Sequence, residues 1–257
     1  MKLNDILSSP KNNRPLIITI VGEGGIGKTT LASLFPNPVI LRTEDGTLSL
    51  SDREDVALFP VAKTVEECFN YIEALATQDH EFKTLVIDSI TQLNTLIEKE
   101  ILEIDKGVKS LNQCLGGYGA AFSAVSESHR KFRERCGTLS DDKNMNIVFI
   151  AHTDTETIEQ PDQDAYTRYT IRMHKKSVSH YSDNVDVVAY LKLKTFTKGG
   201  YNPTDKKEKS KPARAISDGT RVLTCYPVAN HISKNRLGIS EDLTIANGDN
   251  PFLQYLK

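Results

Sequence analysis

Apolar residues in this chain come first as short unbroken runs and later in alternation with polar ones, and the change falls just after His152. Residues 16–21, 39–41, 85–87 and 147–151 are the unbroken runs, and such runs read as parallel strands buried on both faces. A short helix from Lys28, stopped by Pro36 and Pro38, follows the first of them. Thr64 with Glu67 makes a capping box, and the helix it opens presents Val65, Cys68, Phe69 and Ile72 on one side. Two more helical stretches precede the fourth run, one carrying Ile90, Leu93, Ile97 and Ile101, the other Phe122, Val125 and Phe132. Gly116, Gly117 and Gly119 separate them. Beyond His152, Tyr166, Tyr169, Ile171 and Met173 alternate with polar residues as in a hairpin, and residues 185–193 and 222–226 read as further strands. The expected architecture is α/β, a mainly parallel sheet flanked by helices, with antiparallel strands or a hairpin toward the C-terminus. One domain over residues 1–257 is the expectation, with a core of about 14–194 and an appended part of about 195–257.

Composition adds exclusions. With 39% hydrophobic and 26% charged residues the chain reads as soluble and globular. No apolar run approaches the roughly 18 to 20 residues that span a bilayer, and residues 1–15 lack the apolar stretch of a secretory signal. No membrane partner is expected, and the location expected is the cytoplasm, that of the host if the gene is a phage's. Cys68, Cys114, Cys136 and Cys225 show no CxxC pairing, so reduced thiols are expected rather than zinc or disulfides. The net charge of -2 hides an asymmetry, because segment 168–214 is strongly basic. Within it, residues 206–211 read as a solvated loop.

The chemistry begins between the first run and the first helix. Gly22, Glu23, Gly24, Gly25, Ile26, Gly27, Lys28, Thr29 and Thr30 contain the spacing G-x-x-x-x-G-K-[ST] between a strand and a helix. Glycines let successive N–H groups point at phosphate oxygens, Lys28 reaches the β and γ phosphates, and Thr29 ligates Mg2+. A plain glycine turn is the alternative, but the pattern arises by chance in only about 1% of chains of this length. The ligand implied is a nucleoside triphosphate, ATP with Mg2+. Asp88 closes the third run, where a carboxylate can hold a metal-bound water or cap the following helix, and one residue can do both. Ser89 follows it, so the group that orients the attacking water must lie elsewhere. Glu44, with Asp45 next, stands just past the second run, either facing the γ-phosphate or in a surface turn closed by Gly46. His152, at the end of the fourth, either senses that phosphate or is an ordinary strand-end histidine.

Together, the stretch from Gly22 to Thr30, Thr43-Glu44, Asp88-Ser89 and the strand ending at His152 resemble the RecA-like branch of P-loop ATPases. In that branch the catalytic glutamate comes from the strand tip that Glu44 occupies, and glutamine is usual where His152 stands. Lys234-Asn235-Arg236 with Gly238 is similar to the K-x-R-x-G stretch of DnaB-type helicases, which implies that Lys234 and Arg236 reach the γ-phosphate of a neighbouring subunit in a homo-oligomer, ring or filament. The alternative is a solvated pair in a loop. The overall pattern resembles small phage-encoded proteins of the Sak-type single-strand annealing group, which implies single-stranded DNA as partner, with a single-strand binding protein as a further one. The same resemblance places DNA-binding loops at residues 107–119 and 153–176, the second carrying Arg168, Arg172, Lys175 and Lys176 beside Tyr166 and Tyr169. Such residues neutralise phosphates and stack on bases, and they also suit a solvated hairpin. The rival functions are a DnaB-like motor and a KaiC-like switch assembling on a protein partner.

Overall fold

The computed structural model describes residues 14–198, 214–246 and 248–256. In chain order the elements are β1 (Ile17–Gly22), α1 (Lys28–Ala32), β2 (Pro38–Arg42), β3 (Ala57–Leu58), α2 (Val65–Thr77), β4 (Thr84–Asp88), α3 (Ile90–Ile104), α4 (Ala120–Lys143), β5 (Asn146–Gln160), β6 (Gln163–Ile171), α5 (Lys175–Ser182), β7 (Val187–Lys198), β8 (Arg214–Thr224), β9 (Lys234–Asn235) and β10 (Leu243–Ile245). The strands form one sheet in the order β10-β8-β7-β1-β5-β4-β2-β3, with β6 paired to β5 and β9 to β7. From β7 to β3 the neighbours are parallel, while β8, β9 and β10 join antiparallel. This is an α/β architecture, mostly parallel and flanked by helices, with antiparallel strands in its C-terminal part.

The unbroken runs are explained by a core on each face. Ile17, Val21, Leu41, Leu85, Ile87 and Phe149 pack toward α2, α3, α4 and Tyr181 of α5. Ile18, Ile20, Ile40, Val86, Val148 and Ile150 point the other way, onto Leu31, Phe35, Leu223 and Phe252. In β4, Leu85, Val86 and Ile87 are all fully buried, each stabilising the fold by about 1.5–3 kcal/mol relative to exposure. One polar residue in such a strand would place an unpaired group in apolar surroundings.

Helix ends follow their sequence signals. The Thr64 hydroxyl accepts from Glu67 N at 3.1 Å, and the Glu67 carboxylate accepts from Lys63 N at 2.6 Å. At α3 the cap is Ser89, whose hydroxyl accepts from Gln92 N at 3.2 Å, so the side chain of Asp88 is not used as a cap.

Three sequence expectations need correction. Helix α1 ends at Ala32, before the prolines, and Ser33 to Phe35 continue as turns whose N–H groups bond to Thr29, Leu31 and Ala32 carbonyls. The fourth run does not stop at Ala151: β5 continues to Gln160 and returns as β6. The stretch 153–176 is therefore mostly strand, the hairpin that the alternation around Tyr166 and Tyr169 predicts rather than the loop that the resemblance implies, and α5 begins at its end with only Ser177 and Tyr181 buried. Residues 206–211 lie outside the described residues. Cys68, Cys114, Cys136 and Cys225 are all buried free thiols.

Candidate functional site

The parallel arrangement brings the C-terminal tips of β1, β4 and β5 side by side. Gly22 is level with His152 on one side of β1 and with Leu191 on the other. That register forces the glycine, because a Cβ at Gly22 would lie 2.7 Å from the Leu191 carbonyl oxygen. At the far end of the loop Gly27 has φ 100°, and a Cβ there would run into the guanidinium of Arg221 on β8. Gly22 is thus required by a backbone contact the strands create, and Gly27 by its left-handed conformation, since the Arg221 side chain can move aside.

Between them the loop turns back on its own lysine. The Lys28 ammonium donates to the carbonyls of Gly22 at 2.9 Å and Glu23 at 2.7 Å, with His152 Nδ1 a longer 3.5 Å away. Lys28 is only 5% exposed, and this burial brings its pKa down to about 8 against the opposing pull of Asp88 and Glu44. The Thr29 hydroxyl donates to Asp88 Oδ2 at 2.6 Å. Burial raises the Asp88 pKa, while the Thr29 bond works in the opposite direction.

Glu44 enters from the tip of β2 and meets His152 Nε2 at 3.2 Å. With Nδ1 facing the ammonium, the imidazole proton is assigned to Nε2, which donates to the carboxylate. That bond holds the Glu44 pKa below the usual range despite partial burial. Lys28, His152 and Glu44 therefore form a chain across the cleft, with Asp88 alongside. The cleft has a volume of about 350 Å³ and is lined by Gly25, Gly27, Lys28, Thr29, Thr30, Glu44, Asp88 and His152.

Two hydroxyl residues, overlooked as site residues in the sequence, hold these tips together. Thr43 Oγ1 donates to Ser89 O at 2.8 Å and accepts from Ser89 N at 2.9 Å, tying β2 to the start of α3. Thr91 Oγ1 accepts from His152 N at 2.9 Å. Their signal was a threonine within three residues of a buried strand's end, too common a pattern to single out.

The donors fit a hard, oxygen-seeking cation in a particular way. No group of three or more His, Cys, Asp or Glu able to hold a metal occurs among the described residues. A hydroxyl and a carboxylate within 2.6 Å fit Mg2+, which binds through few protein oxygens and takes its other ligands from water and phosphate.

The remaining sequence candidates lie elsewhere. Lys234 and Arg236 sit on or beside β9, which pairs with Val188 and Val187 near the beginning of β7. That is level with Thr19 and Ile18 of β1, some four residues or roughly 13 Å along the strand from Gly22. The Lys234 ammonium donates to the Asp183 carbonyl, and Arg236 Nη1 lies 3.5 Å from Asp186 Oδ1. Buried Asp186 also pairs with Arg14 and accepts from Ile17 N at 3.0 Å. The chain does not bring Lys234 or Arg236 to its own phosphate loop.

Arg168 pairs across the hairpin with Glu156 at 2.8 Å, and Lys176 Nζ donates to Ser123 Oγ at 2.9 Å. Arg168, Lys175 and Lys234 share a second cleft of about 490 Å³ with Glu156 and Asp183. Arg172 returns to the root of the hairpin, where its N–H donates to His152 O at 2.9 Å and its Nε to Thr153 O at 3.2 Å. Its charge contributes to the lowered Lys28 pKa. Among the described residues no helix is long and apolar enough to cross a membrane.

A family model for an AAA domain matches residues 14–237, a span that takes in the whole cleft as well as Lys234 and Arg236. No curated protein matches the chain.

Proposed function

The chain belongs to the AAA domain family, nucleotide-binding P-loop NTPases of ATPase type, and from that premise we propose a Mg2+-dependent, RecA-like ATPase acting in the cytoplasm as an oligomer on single-stranded DNA. Recombination, strand annealing or replication is the setting, in keeping with the Sak-type resemblance. The described residues form one such unit.

The observation that carries the reading is the separation of two sets of cations along one sheet. Lys28 points into the cleft with Asp88, Glu44 and His152, whereas Lys234 and Arg236 stand roughly 13 Å along β1 at the opposite end. A subunit so built holds the triphosphate but cannot supply these two cations to it, and a second subunit can.

In this scheme the Lys28 ammonium exchanges the Gly22 and Glu23 carbonyls for β- and γ-phosphate oxygens. Thr29 Oγ1 and, through a water, Asp88 would hold Mg2+, which when bound would supply positive charge beside the phosphates. Glu44, kept ionised by the bond from His152, orients the attacking water. His152 reads the γ-phosphate from the same position, and Arg236 with Lys234 of the neighbour stabilises the transition state in trans. Arg168, Lys175 and Lys176 supply phosphate contacts for the strand, while Arg172 joins the hairpin to the site.

The test is ATP turnover and particle size, each measured with and without single-stranded DNA. Both are expected to rise with the strand. A turnover and size indifferent to DNA would sink the DNA reading and favour a KaiC-like switch working on a protein partner.

A further inference from the structure

Beside the phosphate loop lies a third cavity, of about 350 Å³, which shares no lining residue with the cleft that holds Lys28. One wall is the loop itself, through Glu23 and Ile26. The opposite wall consists of Tyr169 from β6, Tyr190 from β7 and His231 from the segment leading to β9. These rings are stacked: Tyr169 and Tyr190 have centroids 5.5 Å apart at 21°, and Tyr190 and His231 4.5 Å apart at 13°. Nothing in the phosphate chemistry uses them.

Two features show a wall prepared for a flat ligand. Tyr169, at the end of the stack, is 40% exposed, an unusual position for a tyrosine whose neighbours in the stack are buried. His231 is 1% exposed, and its Nε2 has no hydrogen-bond partner. Its Nδ1 lies 3.3 Å from Ile232 O, so the proton is assigned to Nδ1 and Nε2 is left as an acceptor. That nitrogen is itself buried, so His231 closes the inner end of the stack and Tyr169 is left as its exposed end. The cavity thus offers an aromatic wall, with the exposed Asn230 also lining it.

We propose that this cavity, built on the Tyr169–Tyr190–His231 stack against Glu23 and Ile26, takes one nucleobase of a bound single strand. All four bases have a π-face, so the site is tolerant of sequence. The strand is the source because the cavity takes its exposed ring, Tyr169, from the hairpin whose basic residues hold the strand in the scheme above, and shares no lining residue with the phosphate cleft. The cavity also touches three parts of the scheme above at once. Tyr169 N donates to Asn230 O at 2.9 Å and Ile232 N to Tyr169 O at 2.8 Å, so the hairpin is laced to the segment that ends in Lys234. A base seated there contacts the loop, the hairpin and that segment together.

The inference rests on the single-strand reading, and the experiment separates the two. The chain contains no tryptophan, so Tyr169→Trp installs a single reporter at the exposed end of the stack. In the full-length protein an oligothymidylate should quench that emission while ATP alone leaves it unchanged. Tyr169→Ala should weaken oligothymidylate binding, read by anisotropy, by about tenfold or more with ATP affinity unaltered. His231→Phe keeps a ring in the stack and should retain binding. An abasic strand of equal length should bind without quenching. Undiminished binding by Tyr169→Ala with no quenching by thymidylate would overturn the site and leave the strand reading standing. Quenching by ATP alone would assign the cavity to the nucleotide's own base and overturn the strand as source. No binding of any strand by the unaltered protein would remove both.

Discussion

The two ends of β1 hold their basic residues in opposite ways. At the C-terminal end Lys28 is buried, its ammonium turned onto two loop carbonyls and faced by carboxylates from other strands. At the entry end Arg236 is exposed beside Asp186, and Lys234 rests on a single backbone carbonyl. The first is a charge desolvated in advance and waiting for a stronger anion. The second is a charge kept near water, whose hydration a covering surface would have to replace with an anion. A buried cation determines whether a triphosphate binds at all, and an exposed one can act only where another molecule is brought to it.

The contrast breaks most directly at Arg236. Arg236→Ala should lower turnover by about 10³-fold or more, the scale of an arginine supplied in trans, while ATP binding persists. Mixing it with Lys28→Ala subunits, each inactive alone, should restore part of the activity, because an intact loop then meets an intact arginine. No recovery at any mixing ratio would mean that the two ends never share a site. Glu44→Gln comes next: nucleotide binding is retained and turnover falls by about 10²–10⁴. Near-normal turnover would move the role to Asp45, exposed and 3.5 Å from Arg42.

The smallest effect sharpens the comparison at Lys28 itself. Without nucleotide its pKa is about 8, and a triphosphate beside it raises that value. The bound state therefore keeps a proton that the free state loses above pH 8. ATP affinity should be level below pH 8 and fall by about tenfold per pH unit above it, until the bound pKa is reached. Lys28→Arg, whose guanidinium does not titrate in this range, should give a level profile from pH 7 to 10 in the same binding titration. A level profile for the unaltered protein would show that the amine stays charged in its carbonyl cradle.

What could be read from the sequence follows from which residues needed an apolar environment. The strands that carry the cleft are buried on both faces, so residues 85–87 and 147–151 show as unbroken runs, and the loop, Asp88 and the Thr64 cap carry local signals that survive without tertiary context. The second half of β5 carries no such signal. Its Thr153, Thr155 and Thr157 alternate with acidic and polar residues on a ribbon that is largely exposed beyond Thr153. Helix α5, Lys-Lys-Ser-Val-Ser-His-Tyr-Ser, buries two residues and reads as loop. Arg172 looked like part of a basic hairpin, and only the return of β6 to β5 brings it beside His152. The Tyr169, Tyr190 and His231 stack joins three segments far apart in the chain, a contact that no spacing encodes.

The length of β5 has a mechanical consequence. The strand is clamped by β1 as far as His152 and by β4 as far as Ile150, and then runs on to Gln160, its register with β6 slipping only after Ile158. Eight residues at about 3.3 Å make an arm of roughly 26 Å, with the fulcrum at the residue that touches both Lys28 and Glu44. A sideways displacement of about 5 Å at the tip tilts that arm by roughly 11° and carries a side chain at the fulcrum by about 1 Å. The His152–Glu44 bond, at 3.2 Å, cannot be stretched so far and survive. A pull at the tip of the hairpin would therefore be felt at His152, between Lys28 and Glu44.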